Sequence, residues 1–171
     1  MKRLRRNVIG YTTGVYDMFH IGHLNVIRKA KEQCDYLIVG VSTDELVWNE
    51  KGKHPVIPYK ERVEIISALK YVDKVVSQKD KNKFEAWEKY HFDKMFVGAD
   101  WKGTPQWVKY EKEFEPVEVE IVYLPYTDGI SSTKLTDIIK HFLNEIPENG
   151  GGISKAVIFF LSCSPIKGVT A

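Results

Sequence analysis

An α/β fold built on a parallel sheet is predicted by three features of this 171-residue chain. Short apolar runs recur between residues 8 and 124, the segments between them carry apolar residues at helical spacing, and the two kinds of segment alternate. Strands that alternate with helices pair in parallel and carry helices on both faces of the sheet.

The first run, Val8 to Tyr11, reads as a short buried strand followed by a glycine-containing loop. A helix is expected from about Gly22 to Gln33, with Leu24, Ile27 and Ala30 on one face. Tyr36 to Ser42 is almost continuously apolar, as a strand covered on both faces must be. Asn49 to His54 reads as a polar loop holding Lys51, Gly52 and Lys53. Pro58 then opens a helix through Leu69, with Val63, Ile66 and Leu69 sharing a face. Val72 to Ser77 is strand-like and Lys83 to His91 helical. Met95 to Gly98 and Val119 to Leu124 are the last strands, with an inserted helix around Trp107 to Phe114 between them. A final amphipathic helix is expected from Ser132 to Leu143, its core stripe being Leu135, Ile138, Ile139 and Phe142. Residues 7 to 146 thus form the expected domain. A basic extension, 1 to 6, precedes it; a tail, 147 to 171, follows through the linker-like Pro147 to Gly152 and the apolar Val157 to Leu161.

Composition narrows the function classes. A net charge of +2 gives no electrostatic footprint for nucleic acid, and Arg3, Arg5 and Arg6 extend into no basic stripe. Two cysteines, Cys34 and Cys163, make no disulfide framework and suit a reducing compartment, so a cytoplasmic location is expected. The basic start lacks the apolar stretch of a signal peptide, and the longest apolar run, Ala156 to Leu161, falls far short of the ~20 residues that span a bilayer.

The residues that carry chemistry lie where the first strand hands over to the first helix, Gly14 to His23. In a parallel sheet this is the carboxyl edge, where ligands bind and a helix N-terminus faces an anion. His20 and His23, flanking Gly22, can aim imidazole N–H donors at one phosphate. Two other readings compete: zinc ligation, which has no acidic or Cys/His partner at metal-site spacing, and ordinary half-exposed histidines.

The pattern Gly14-x-Tyr16-Asp17-x-x-His20-x-Gly22-His23 resembles the G-x-F-D-x-x-H-x-G-H signature of the nucleotidylyltransferase superfamily. Thr127 to Lys134 resembles the R-T-E-G-I-S-T-T element of its cytidylyltransferase branch. Landmarks between them match in order: Asp35 to Asp44, Glu61-Arg62, Tyr71-Val72-Asp73 and Gly98-x-Asp100-Trp101-x-Gly103. The resemblance spans residues 7 to about 146 and is nearest to glycerol-phosphate cytidylyltransferases.

That resemblance implies a Rossmann-like domain that transfers a cytidylyl group from CTP to a phosphorylated alcohol, with Mg²⁺ accompanying the nucleotide and a homodimer as the working state. By the same implication His20, His23 and Lys51 are catalytic, and Lys51 and Lys83 bind the acceptor. Val15, Tyr16, Ile21, Gly22, Lys53, Lys70 and Asp100 contact the nucleotide, as do Thr127, Gly129, Ile130, Ser131, Ser132 and Thr133. Several of these have plainer structural roles open to them. Ser131 suits a helix N-cap, and Lys51 and Lys53 suit solvated loop charges. Asp17 suits local hydrogen bonds within the glycine loop, Arg62 either a phosphate or an internal ion pair, and Trp107 core packing.

Four departures bear on the acceptor and on catalysis. Tyr126 stands where the element usually opens with arginine, Val15 replaces a hydroxyl residue, and Lys70 replaces an arginine with loss of its bidentate geometry. The stretch Thr104 to Pro116 is also long. Ethanolamine phosphate, choline phosphate and other polyol phosphates therefore stay open as acceptors, beside a catalytically weak nucleotide-binding module.

Overall fold

In the computed structural model the described residues are 7–125, 127, 129 and 131–145. The basic extension, the tail, Tyr126, Asp128 and Ile130 lie outside them. The chain divides into two units, Met1–Ser131 and Ser132–Ala171.

Five strands form the sheet of the first unit in the order β3-β2-β1-β4-β5: β1 (Ile9–Gly14), β2 (Tyr36–Ser42), β3 (Lys74–Gln78), β4 (Lys94–Gly98) and β5 (Glu120–Leu124). Every pairing is parallel, with Ile9 opposite Tyr36, Ile38 opposite Lys74, Gly10 opposite Lys94 and Lys94 opposite Glu120. The chain winds outward from β1 in one direction and returns through β4 in the other, so the strand order reverses between β1 and β4. Open α/β sheets hold their ligands at the carboxyl side of that reversal. Carboxylates pin the opposite edge: Val8 N donates to Asp35 and Ile9 N to Asp93, each at 2.8 Å, while Leu37 N donates to Asp73 at 2.6 Å.

Alternation along the strands builds two cores. Leu37, Val39 and Val41 face α1 (Ile21–Lys31) and α3 (Tyr59–Ser67), burying Ile27, Ala30 and Ile66. Tyr11, Ile38 and Met95 face the other way, against the aromatic side chains Trp107, Tyr110 and Phe114 of α5 (Pro105–Phe114), with α4 (Lys83–Tyr90) beside it. The helices on both faces and the all-parallel sheet make this the Rossmann-like α/β class the alternation predicts.

Element boundaries depart from expectation in instructive places. β1 runs on through Thr12 and Thr13 to Gly14, because pairing with Val39, Gly40 and Val41 satisfies their backbone despite polar side chains. The expected loop at 49–54 begins inside a helix, α2 (Asp44–Lys51). Thr43 caps it, its Oγ1 accepting from Leu46 N at 3.2 Å, and Gly52 ends it in the left-handed region at φ 62°. Pro58 is the cap of α3 rather than its first residue.

The second unit contains α6 (Ser132–Glu145), longer than expected. Its stripe is not a closed core: Leu135 and Ile139 are half-buried, but Ile138 is 52% and Phe142 63% exposed.

Candidate active site

The loop after β1 and the first turn of α1 assemble the histidine pair. His20 has extended backbone and caps α1 with its ring, Nδ1 accepting from Gly22 N at 3.1 Å. One turn on, His23 stacks against it with centroids 3.9 Å apart and planes 28° apart. Tyr16 meets the His23 ring edge-on at 5.4 Å and Phe19 lies at 5.7 Å. Nδ1 of His23 is buried with no hydrogen-bond partner.

These contacts fix both tautomers. Because Nδ1 of His20 accepts a hydrogen bond, its proton sits on Nε2. Placing the His23 proton on Nε2 likewise avoids burying an unsatisfied N–H. Burial lowers the pKa of His20, and burial together with His20 lowers that of His23 to about 4. At neutral pH the pair therefore offers two neutral Nε2–H donors, suited to hydrogen-bonding an anion and ill-suited to carrying a charge.

The loop geometry that makes this possible is uncommon. Tyr16 and Met18 occupy the left-handed region at φ 56° and 47°, which non-glycine residues enter at a cost of about 1–3 kcal/mol each. Two groups hold them there. Asp17 reaches across to the segment before α3, accepting from Val56 N and Ile57 N, each at 2.9 Å. This corrects the expectation that Asp17 serves its own loop: it ties that loop to the one after α2. Arg62, fully buried, donates from Nε to Ile57 O at 2.9 Å and from Nη1 to Ser42 O at 2.9 Å and to Val15 O. Its Nη2 pairs with Asp44 at 2.7 Å. Of the two readings for Arg62 the internal ion pair is the one the structure supports, since Nε, Nη1 and Nη2 each donate inside the protein.

The other predicted residues divide by position. Lys51 and Lys53 are exposed on either side of Gly52, where α2 ends at the carboxyl edge, and beside them Trp48 stacks on His54 at 4.6 Å. Asp100 is exposed in the 3₁₀ turn Ala99–Trp101 that follows β4 at the same edge. Ile21, half-exposed, is the first residue of α1; Val15 contributes its carbonyl to Arg62. The N–H of Gly22 donates to the His20 ring. Lys83 begins α4 and is buried, its Nζ donating to Thr13 Oγ1 at 3.1 Å, and burial lowers its pKa to about 8.

After β5, Thr127 Oγ1 accepts from Asn25 Nδ2 at 3.1 Å, which ties this segment to α1. Asn25 is a contact that no sequence signal marked. Gly129 takes φ 99° and Ser131 is half-buried, while Ile130 lies outside the described residues. Ser132 and Thr133 open α6 in the second unit. Lys70 is corrected. It follows α3 just before Asp73, which binds Leu37 N and Lys31 at the start of β2, so it stands at the amino-terminal edge of the sheet, opposite the histidines.

Among the described residues no helix is long and apolar enough to cross a membrane, and no group of three His, Cys, Asp or Glu side chains could hold a metal ion.

A family model described as cytidylyltransferase-like matches residues 11–138. A glycerol-3-phosphate cytidylyltransferase of Staphylococcus aureus is 38% identical over 126 residues, covering 72% of this chain and 89% of that protein. An FAD synthase of Pyrococcus abyssi is 35% identical over 136 residues, covering 79% of this chain and 90% of that protein. Among solved structures, a lipopolysaccharide core biosynthesis protein from Thermoplasma volcanium superposes with a TM-score of 0.63 at 26% identity, over 72% of this chain and 100% of that one.

Proposed function

We propose a reaction from one premise: the chain belongs to the cytidylyltransferase-like family. It transfers the cytidylyl group of CTP to sn-glycerol 3-phosphate, giving CDP-glycerol and pyrophosphate. The observation that carries this reading is the stacked, neutral His20–His23 pair at the strand-order reversal, in a chain 38% identical to a glycerol-3-phosphate cytidylyltransferase.

A phosphate oxygen of the acceptor attacks the α-phosphorus of CTP; the new O–P bond forms as the bond to the bridging oxygen breaks, and pyrophosphate leaves. The acceptor phosphate has a second pKa of about 6, so at neutral pH it is already the nucleophile and needs no base. What the protein must supply is alignment and stabilisation of the charge that gathers on the triphosphate. Two Nε2–H donors that stay neutral suit that task, because they contribute hydrogen bonds without a proton to lose. Lys51, at the end of α2, and Lys53, in the segment that leads to the residues Asp17 anchors, supply exposed positive charge. Lys83 supplies a fixed one on the opposite face of β1. Mg²⁺ enters this reading on the phosphates of the nucleotide, since the described residues form no cage for it.

A second reading rests on the FAD synthase relative at 35% identity: ATP as donor and flavin mononucleotide as acceptor. Pyrophosphate release decides, with CTP, ATP, GTP and UTP each crossed with glycerol 3-phosphate, ribitol 5-phosphate, ethanolamine phosphate, choline phosphate and flavin mononucleotide. Release with CTP and glycerol 3-phosphate is expected. Release with ATP and the flavin alone moves the chain to the second reading. Silence from folded protein that binds CTP would make it a nucleotide-binding module.

A further inference from the structure

A cleft of about 580 Å³ opens on the face of the sheet beside α4, within the size range of small-molecule sites. Three of its lining side chains are buried polar groups: Tyr11 at 2% exposure, Gln78 at 8% and Lys83 at 8%. Although the residues are largely buried, their polar atoms line the cleft and hold hydrogen-bonding capacity in reserve. Among the described residues the Lys83 ammonium donates only to Thr13 Oγ1. Gln78 accepts from Ser42 Oγ at 2.9 Å through its oxygen, leaving the amide N–H₂ without a partner among the described residues. The Tyr11 hydroxyl has none there either. It lies where Gly40 leaves room for it: a Cβ at Gly40 would stand 2.8 Å from that oxygen and 2.7 Å from Thr13 Cγ2.

Resting on the cytidylyl-transfer reading, we infer that this cleft is the alcohol subsite of the acceptor, and that it takes phosphorylated polyols in preference to phosphorylated ammonium alcohols. Thr13 immediately precedes Gly14, where β1 hands over to the histidine loop, so a phosphate on Lys83 stands at the mouth of the catalytic edge. The carbon chain then runs away from it past Tyr11 and Gln78, whose phenol and amide hydrogen-bond its hydroxyls. Burial pushes the Tyr11 phenol well up, which keeps it a donor at every working pH.

The lining argues against a cationic headgroup. Quaternary ammonium groups are recognised by open aromatic faces and unengaged carboxylates. Here the Tyr11 ring stacks on Phe92 at 4.7 Å, and the Tyr90 ring already faces Lys74 Nζ at 5.6 Å and Lys89 Nζ at 5.4 Å. Both carboxylates are engaged: Asp80 accepts from Asn82 N at 2.7 Å and Glu85 from Asn82 Nδ2 at 2.9 Å. The lysines lining the cleft repel a further cation.

The test compares glycerol 3-phosphate, ribitol 5-phosphate, choline phosphate and ethanolamine phosphate on the full chain with saturating CTP, and titrates the same compounds directly by calorimetry. Turnover with the polyol phosphates at least about tenfold above the ammonium alcohols is expected. Tyr11→Phe, which removes one oxygen from an otherwise unchanged core, should raise KM and Kd for the polyol phosphates about fivefold with kcat and the KM for CTP unmoved. Gln78→Met should act alike. Choline or ethanolamine phosphate used as well as the polyols, or polyol affinity unchanged in both folded variants, would overturn the inference. Polyol phosphates that bind, and weaken in Tyr11→Phe, without any pyrophosphate release support the cleft and refute the reaction instead.

Discussion

The two faces of β1 treat their polar groups in opposite ways. On the α1 side the groups that hold the histidine loop are committed: the His20 ring caps its own helix, Asp17 holds Val56 and Ile57, and Arg62 joins Val15, Ser42, Ile57 and Asp44, while Nδ1 of His23 and the Tyr16 hydroxyl are buried without a partner among the described residues. On the α4 side Tyr11, Gln78 and Lys83 are as deeply buried but incompletely paired. A committed network fixes donors before a ligand arrives, which suits the part of a reaction whose geometry must not vary. Reserved capacity suits a ligand that completes the set, because donors lining a cleft remain available to its hydroxyls.

Breaking the committed side should cost most. Arg62→Met leaves the Asp44 carboxylate and three carbonyls without their donor, and should destabilise the chain by about 3–5 kcal/mol in urea unfolding. Next comes the pH response of His23. The ring titrates near 6.5 unfolded and at about 4 in the fold, so the unfolded state binds more protons between those values. Stability is complete above pH 6.5 and should fall by about 2 kcal/mol as the pH drops to about 4, a slope that His23→Gln removes while other groups' titrations persist. Asp17→Asn presents an amide N–H₂ to one of two backbone donors, and should cost about 1–2 kcal/mol and raise the KM for CTP by loosening the lysine loop. The smallest effect falls on the reserved side. Lys83 loses its proton as the pH rises through about 8, so the KM for the acceptor should climb above that pH while the KM for CTP stays level.

Legibility in the sequence follows the same division. Uninterrupted apolar runs such as Tyr36–Ser42 announce their strand, since a strand covered on both faces has no polar positions to confuse the pattern. α2 is hidden because it buries only Leu46 and Val47, and its cap, Thr43, follows the strand with no intervening loop. His20 and His23 stand out because their spacing and glycine context are local. The contacts that hold their loop in place are not local: Arg62 reaches Val15 over 47 positions, and Ile57 reaches Asp17 over 40. The position of Lys70 is hidden for the same reason, since only the topology reveals which edge of the sheet a residue occupies. Tyr11 reads as an ordinary strand residue, and Gln78 falls just past the expected strand. Their reserved hydrogen-bonding capacity depends on what fails to approach them, which a sequence does not display.

The central claim is that neutral histidine donors at the strand-order reversal drive transfer from CTP. Pyrophosphate release from CTP, Mg²⁺ and glycerol 3-phosphate, measured for the parent chain and for His20→Ala and His23→Ala, tests it most directly. The account predicts steady release by the parent and a fall in kcat on the order of 100-fold in each variant, in protein that remains folded. Release undiminished in both variants would place the chemistry elsewhere and contradict it.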